Sequence, residues 1–313
     1  MTLNEEAWLI AEQMAGDAAA LRLEVHSVAG ATVIDCGINV DGGLLAGLGL
    51  ARVCMAGRGE VTIIPGEVGG WRGPFVQVHS DDPVHACLAS QYAGWQISVG
   101  KYFAMGSGPM RARYGKEELF NDIPGREDSA VAVGVLESRK LPTEEVVSFL
   151  TGKLGLSADR LMLLVAPTAS IAGTIQIVAR SLETALHKLH ELKFNVTQVV
   201  SGFGTAPLPP PAKDDLAAVG RTNDAILYGG RVHLWVRSDD DQIATIGPQI
   251  PAKASKDHGV PFAKLFARYN FDFYKIDPHL FAPAEVVFHN LTSGRTFAFG
   301  EMAPDVLRRS FEG

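Results

Sequence analysis

Apolar residues recur at helical spacing over residues 3–23, through Trp8, Ala11, Met14, Ala15, Ala18 and Leu21, with acidic groups early. That spacing predicts an amphipathic helix. Short apolar runs bounded by glycine or proline predict strands at 32–36 and 61–64. The glycine-rich stretch between them suits either close helix packing or a backbone that approaches something closely. Residues 84–97 (VHACLASQYAGWQI) read as one buried helix. The following GKYFAMGSGPMRA reads as a loop, because Gly106-Ser107-Gly108-Pro109 interrupts regular structure. Buried strands are expected at 129–136 and 160–166, with a helix between them that starts after Pro142.

The strongest helical pattern covers 171–193, where Ile175, Val178, Leu182, Leu186 and Leu189 share one face. On a second face Gln176, Arg180, Glu183 and His187 fall within a sector of about 40°. This face is either a solvated surface with an ordinary ion pair or a wall on which Glu183 acts as general base beside Arg180. Periodicity leaves both open. A strand at 195–200 leads into SGFGTAPLPPPAKDD, a long loop stiffened by the prolines at 207 and 209–211. Further strands are expected at 225–228, 231–237 and 285–289, with a helix over 261–269. In GRTNDAILYGG (220–230) a dense polar cluster precedes an apolar run. It either holds a ligand or makes a turn, since Asn-Asp is ordinary turn chemistry.

Composition narrows the class. A chain of 313 residues, 47% hydrophobic and 20% charged, has enough apolar surface for one large or two ordinary domains. The net charge is −7 and no basic run exceeds two residues, which argues against nucleic acid as a partner. Mild acidity favours a cationic ligand instead. Three scattered cysteines fit reduced thiols and a cytoplasmic setting. The acidic N-terminus is no signal peptide, and no apolar run is long enough for a membrane span. Dinucleotide, P-loop and nucleophile-elbow signatures are missing. His79, His85 and Cys87 are close in sequence but no CxxC accompanies them, so hydrogen-bonded histidine and buried thiols are expected rather than a metal site.

Six blocks in order then carry a resemblance: DCGINVDGGLLAG, ACLASQYAGWQI, YFAMGSGPMRA, VARSLETALHKL, SGFGTAPLPP and GRTNDAILYGG. Together they resemble the methenyltetrahydromethanopterin cyclohydrolase family. The resemblance implies a mixed α/β (α+β) fold of two domains specific to that family, with the active-site cleft between them and a homotrimeric assembly. The domains are expected as 1–160 and 161–313, with room for interleaved segments. It implies reversible hydrolysis of the N5,N10-methenyl cation of a pterin substrate to the N5-formyl compound, with no cofactor, metal or nucleotide. The reaction belongs to one-carbon pathways between formaldehyde or methyl groups and formate or carbon dioxide. In the family the catalytic glutamate follows an arginine by three residues, which implies Arg180 and Glu183 here. Arg221, Thr222, Asn223 and Asp224 are implied as cleft wall, joined by Ser90, Gln91 and Ser107. Two rival classes stand beside this one: a zinc-dependent pterin or purine hydrolase using His79, His85 and Cys87, and a non-catalytic pterin-binding protein.

Overall fold

The computed structural model of the chain describes residues 1–272 and 275–312. The early strands are β1 Glu24–Val28, β2 Ala31–Asp35, β3 Glu60–Val68, β4 Trp71–Ser80, β5 Trp95–Val99 and β6 Tyr102–Ser107. The later ones are β7 Ala132–Glu137, β8 Leu161–Ala166, β9 Val199–Pro207, β10 Arg231–Val236, β11 Glu285–Asn290 and β12 Thr296–Gly300. The helices of the first half are α1 Leu3–Gly16, α2 Ala18–Leu21, α3 Leu44–Cys54, α4 Met110–Tyr114 and α5 Glu144–Leu154. Those of the second are α6 Ile171–Val178, α7 Ser181–Glu191, α8 Asp215–Gly229, α9 Asp240–Ile246, α10 Phe262–Arg268 and α11 Pro304–Phe311. No helix among the described residues is long and apolar enough to cross a membrane. Cys36, Cys54 and Cys87 are buried and unbridged.

The fold is mixed α/β, and internal contacts group the chain into two compact units. One comprises Met1–Glu60 and Val84–Gln176, the other Val61–Pro83 and Ile177–Gly313. Against the expected boundary at residue 160, the chain thus changes unit after Glu60, after Pro83 and after Gln176.

The first unit carries a six-stranded sheet in the order β1-β2-β8-β7-β6-β5. β8 (LMLLVA) is buried at every position and runs parallel to both neighbours, as an unbroken apolar run at the centre of a sheet should. α5 makes the crossover between β7 and β8; Thr143 caps its start by accepting the Val146 N–H, and Gly155 ends it in the left-handed region. The core joins Val33, Ile97, Leu136, Val146, Leu150 and Leu163. At the N-terminus, Thr2 and Glu5 form a reciprocal capping box on α1.

The second unit carries another six-stranded sheet, β12-β11-β10-β9-β4-β3. The inserted segment 61–83 supplies β4, which pairs antiparallel with β9 (Val78 opposite Gly204), as well as most of β3. β10 and β11 are parallel, with His233 opposite Val287. One face of this sheet is fully buried through Val232, Leu234 and Val236, whereas His233 and Trp235 on the other face are half-exposed.

Several expected elements are corrected. Residues 84–97 are not one helix: a π-helix covers Val84–Gln91 and β5 follows, because Trp95 and Ile97 are buried while Gln96 and Ser98 are not, a two-residue period. The expected loop after it is β6 and α4. The expected strand 195–200 starts at Val199 and runs on to Pro207, absorbing half of the expected proline loop. Residues 225–228 are not a strand but the last turns of α8, which Asp214 starts by capping the Ala217 N–H. The 3–23 helix pauses at Asp17. Most consequential, 171–193 is two helices rather than one.

Candidate active site

The break in 171–193 falls at Ala179-Arg180, next to the candidate pair. The Arg180 N–H bonds to Ile177 O at 3.0 Å, a tightened three-residue turn, and the α-ladder restarts with Thr184 N–H on Arg180 O at 2.9 Å. Arg180 is thereby the N-cap of α7 and Glu183 lies in its first turn, where the helix field favours a carboxylate. Both are buried, Arg180 at 7% exposure and Glu183 at 4%, and Gln176 is buried as well. A solvated face is therefore excluded for these side chains.

The start of α7 lies closely against two glycines on β9. A Cβ at Gly204 would lie 2.6 Å from Ser181 Oγ and 3.1 Å from Leu182 N, and one at Gly202 would lie 2.5 Å from Leu182 Cδ1. Glycine at both positions lets the helix terminus rest directly on the strand. At the other end of α7, Lys188 is buried and donates to His279 Nδ1 and His279 O, both at 2.8 Å. Burial brings its pKa down to about 8, against the pull of Asp277 and Glu191. Ser181 and Lys188 were not singled out from the sequence; nothing in the pattern marks a lysine in a polar helix as interior.

The Arg221–Asp224 cluster lies within α8, so its reading as a turn before a strand is overturned. Arg221 Nε donates to Ser310 O at 3.3 Å, and Nη1 donates to Pro211 O at 2.6 Å, tying α8 to α11 and the proline run. Thr222 Oγ1 and Asn223 Nδ2 donate to the helix's own carbonyls at Ala218 and Val219, each at 2.8 Å. Asp224 is fully buried and Oδ1 accepts the Phe262 N–H at 2.8 Å. Burial pushes its pKa up to about 7, opposed by the Ser310 hydroxyl, the Phe262 N–H and Arg309. Arg221 and Asn223 remain half-exposed.

Ser90, Gln91 and Ser107 are brought together in the first unit. Ser90 Oγ donates to Cys54 O at 2.7 Å, Ser107 Oγ lies 3.2 Å from Cys54 Sγ, and the Cys54 thiol reaches Gln91 O at 3.8 Å. All three are fully buried. Arg111, which the sequence placed in a loop, organises the cluster. Its Nη1 donates to Leu88 O (3.0 Å) and Ser90 O (3.3 Å), while Nε and Nη2 grip Glu117 at 2.9 and 2.5 Å. The guanidinium lies over the rings of Tyr92 and Phe120, an apolar enclosure that strengthens each bond. A basin of about 670 Å³ lined by Arg113, Tyr114, Lys116 and Arg126 lies elsewhere in this unit and includes none of the candidates.

Among the described residues, the one set of three metal-ligating side chains within 4.8 Å of each other is Glu24, His26 and Asp35. The Asp35 carboxylate is already filled: Oδ1 accepts the N–H groups of Gly37 and Ile38, and Oδ2 accepts the backbone and side-chain N–H of Asn39. Four acceptor positions are so used, and the residue organises its own turn rather than a cation. His79 lies on β4, while His85 and Cys87 lie on the π-helix of the other unit.

Comparison with known proteins agrees along the whole chain. The family model described as Cyclohydrolase (MCH) matches residues 2–311. A methenyltetrahydromethanopterin cyclohydrolase of Rhodopirellula baltica is 50% identical over 290 residues, 91% of this chain and 87% of that protein. One of Methylobacillus flagellatus is 45% identical over 311 residues, covering 99% and 95%. One of Methanosarcina barkeri is 41% identical over 315 residues, covering 99% and 98%. The chain belongs to the cyclohydrolase (MCH) family.

Proposed function

We propose that this chain is an enzyme that hydrolyses N5,N10-methenyl-tetrahydromethanopterin reversibly to the N5-formyl compound. The observation that carries the mechanism is the burial of a carboxylate and a guanidinium together, Glu183 and Arg180, at a helix start fixed on β9. The methenyl carbon sits between two nitrogens that share a positive charge, so it is already electrophilic and the protein has to supply an oriented water and a proton carrier. Glu183 takes a proton from the attacking water as the C–O bond forms, then gives it to N10 as the C–N10 bond breaks. The remaining hydroxyl proton leaves to solvent as the formyl C=O forms. Arg180 keeps Glu183 ionised and aimed. On α8 the half-exposed Arg221 and Asn223 meet the pterin's donor–acceptor edge, while Thr222 and Asp224 hold the helix. The enzyme uses no cofactor and works in the cytoplasm as a homotrimer.

The test is the decay of the methenyl absorbance with purified protein, run beside methenyl-tetrahydrofolate. Rapid, enzyme-dependent decay of the methanopterin compound is expected, and none with Glu183→Gln on the same timescale. Turnover of neither compound would sink the reading.

A further inference from the structure

On the half-exposed face of the second unit's sheet, two imidazoles point at each other. His233 on β10 and His289 on β11 are diagonal neighbours, since His233 is opposite Val287 and Trp235 opposite His289 in a parallel pair. Their rings are 5.3 Å apart with planes within 9°, and His233 Nδ1 lies 3.0 Å from His289 Nε2. The far nitrogen of His289, Nδ1, lies 3.3 Å from Thr296 Oγ1 on β12. We infer that His233 and His289 form a two-imidazole site for a borderline transition-metal dication such as Zn²⁺, Ni²⁺ or Cu²⁺, with water in the remaining positions.

The spacing is close to what a shared ion needs, and because the two nitrogens face each other along one line, each ring turns in its own plane for the lone pairs to converge on the cation. Two nitrogens bound to one tetrahedral ion at 2.0–2.1 Å stand roughly 3.3 Å apart, a few tenths of an ångström from the separation present here. In the tautomer in which His289 Nδ1–H donates to Thr296 Oγ1, the Nε2 lone pair faces His233, which is how metal-binding histidines are commonly oriented. As the cation enters, the proton between the rings moves from His233 Nδ1 to His233 Nε2, so each ring stays neutral with its N–H on the far nitrogen. Imidazole pairs suit Zn²⁺, Cu²⁺ and Ni²⁺ over the hard cations. His233 titrates below the ordinary histidine range, first because of burial, then because of His289 and Arg231, with Glu285 opposing. Arg231, the nearest fixed cation on the strand, is paired with Glu285 at 2.9 Å. Phe203 flanks His233 at 6.0 Å between ring centres.

The site carries its own reporter, because Trp235 stacks on His289 at 4.8 Å between ring centres. Chelator-stripped full-length protein should show one saturable step of tryptophan quenching on titration with Cu²⁺, reversed by excess Zn²⁺ or Ni²⁺. His289→Phe and His233→Phe should each remove that step with an unchanged far-ultraviolet spectrum. Thr296→Val should weaken binding by about tenfold, the usual loss when the partner orienting a ligand histidine is removed. If either phenylalanine variant fails to fold, His289→Gln serves in its place. The inference is overturned if the wild type shows no saturable step, as a second copy covering this face would cause, or if the step persists in both histidine variants.

Discussion

At the scale of single residues, Glu183 and Asp224 are two buried carboxylates with opposite expectations. Glu183→Gln keeps the shape but cannot accept a proton, so turnover should fall by roughly 10²–10⁴ with a much smaller change in substrate affinity. Arg180→Ala should slow the same step, and the double variant should lose less than the product of the two losses, because both act on one proton transfer. Stopped-flow single turnovers would show this. Asp224 is a stability question. Its carboxyl titrates near 3.9 when unfolded but near 7 when folded. Between those values the folded state holds the extra proton, so stability falls as pH rises and levels off above the folded value. Asp224→Asn imitates the protonated acid while keeping the acceptor for Phe262 N–H. It should raise stability at pH 8 by on the order of 1–3 kcal/mol, and by almost nothing at pH 4, in thermal melts at the two pH values. The residue types and spacing at 180 and 183 were legible in the sequence, but their burial was not. A helical face with Gln, Arg, Glu and His looks the same whether water or protein covers it.

At the scale of elements, legibility followed the strength of the local pattern. β8 and α5 were readable because a fully apolar run and a Pro-then-acid helix start have few other meanings. Residues 225–228 misled because a four-residue apolar run carries no period of its own. What decides them is the Asp214 cap eleven residues upstream, outside the window. The break at Ala179-Arg180 contains neither glycine nor proline and left no local mark. It lies just before the residues of α7 that pack on Gly202 and Gly204, a contact far away in sequence. Gly204→Ala tests that packing. The added methyl would press on Ser181 Oγ and the Leu182 N–H and should cost about 1–3 kcal/mol in urea unfolding. It should also lower turnover more than stability alone explains, by displacing the turn that carries Glu183. Full activity together with full stability in this variant would show that the strand does not position the helix start.

At the scale of the whole molecule, domain order was the least legible feature, because no linker composition marks residues 60, 83 or 176. A cut at residue 160 therefore removes β4 from the sheet to which it belongs. The fragment 177–313, which leaves β8 with the first unit, should by itself aggregate through the unpaired edge of β9, whereas adding residues 61–83 in trans should restore soluble protein; gel filtration would separate the cases. Dialysis against a strong chelator should leave turnover of the intact enzyme unchanged while abolishing any metal signal from His233 and His289. A loss of turnover restored by zinc alone would contradict the metal-free mechanism. The insertion of 61–83 also has a consequence in time. A ribosome adds roughly 5–20 residues per second, and β9 begins about 120 residues after β4 ends. The hairpin strand must wait on the order of 6–24 s for its partner, longer than many small domains need to fold completely. During synthesis the first unit can fold while the β4 edge of the β3–β4 pair still lacks β9. A nascent chain stalled with Gln176 clear of the ribosome and β9 still inside it should accordingly be cut by protease within 61–83 and protected on either side of it.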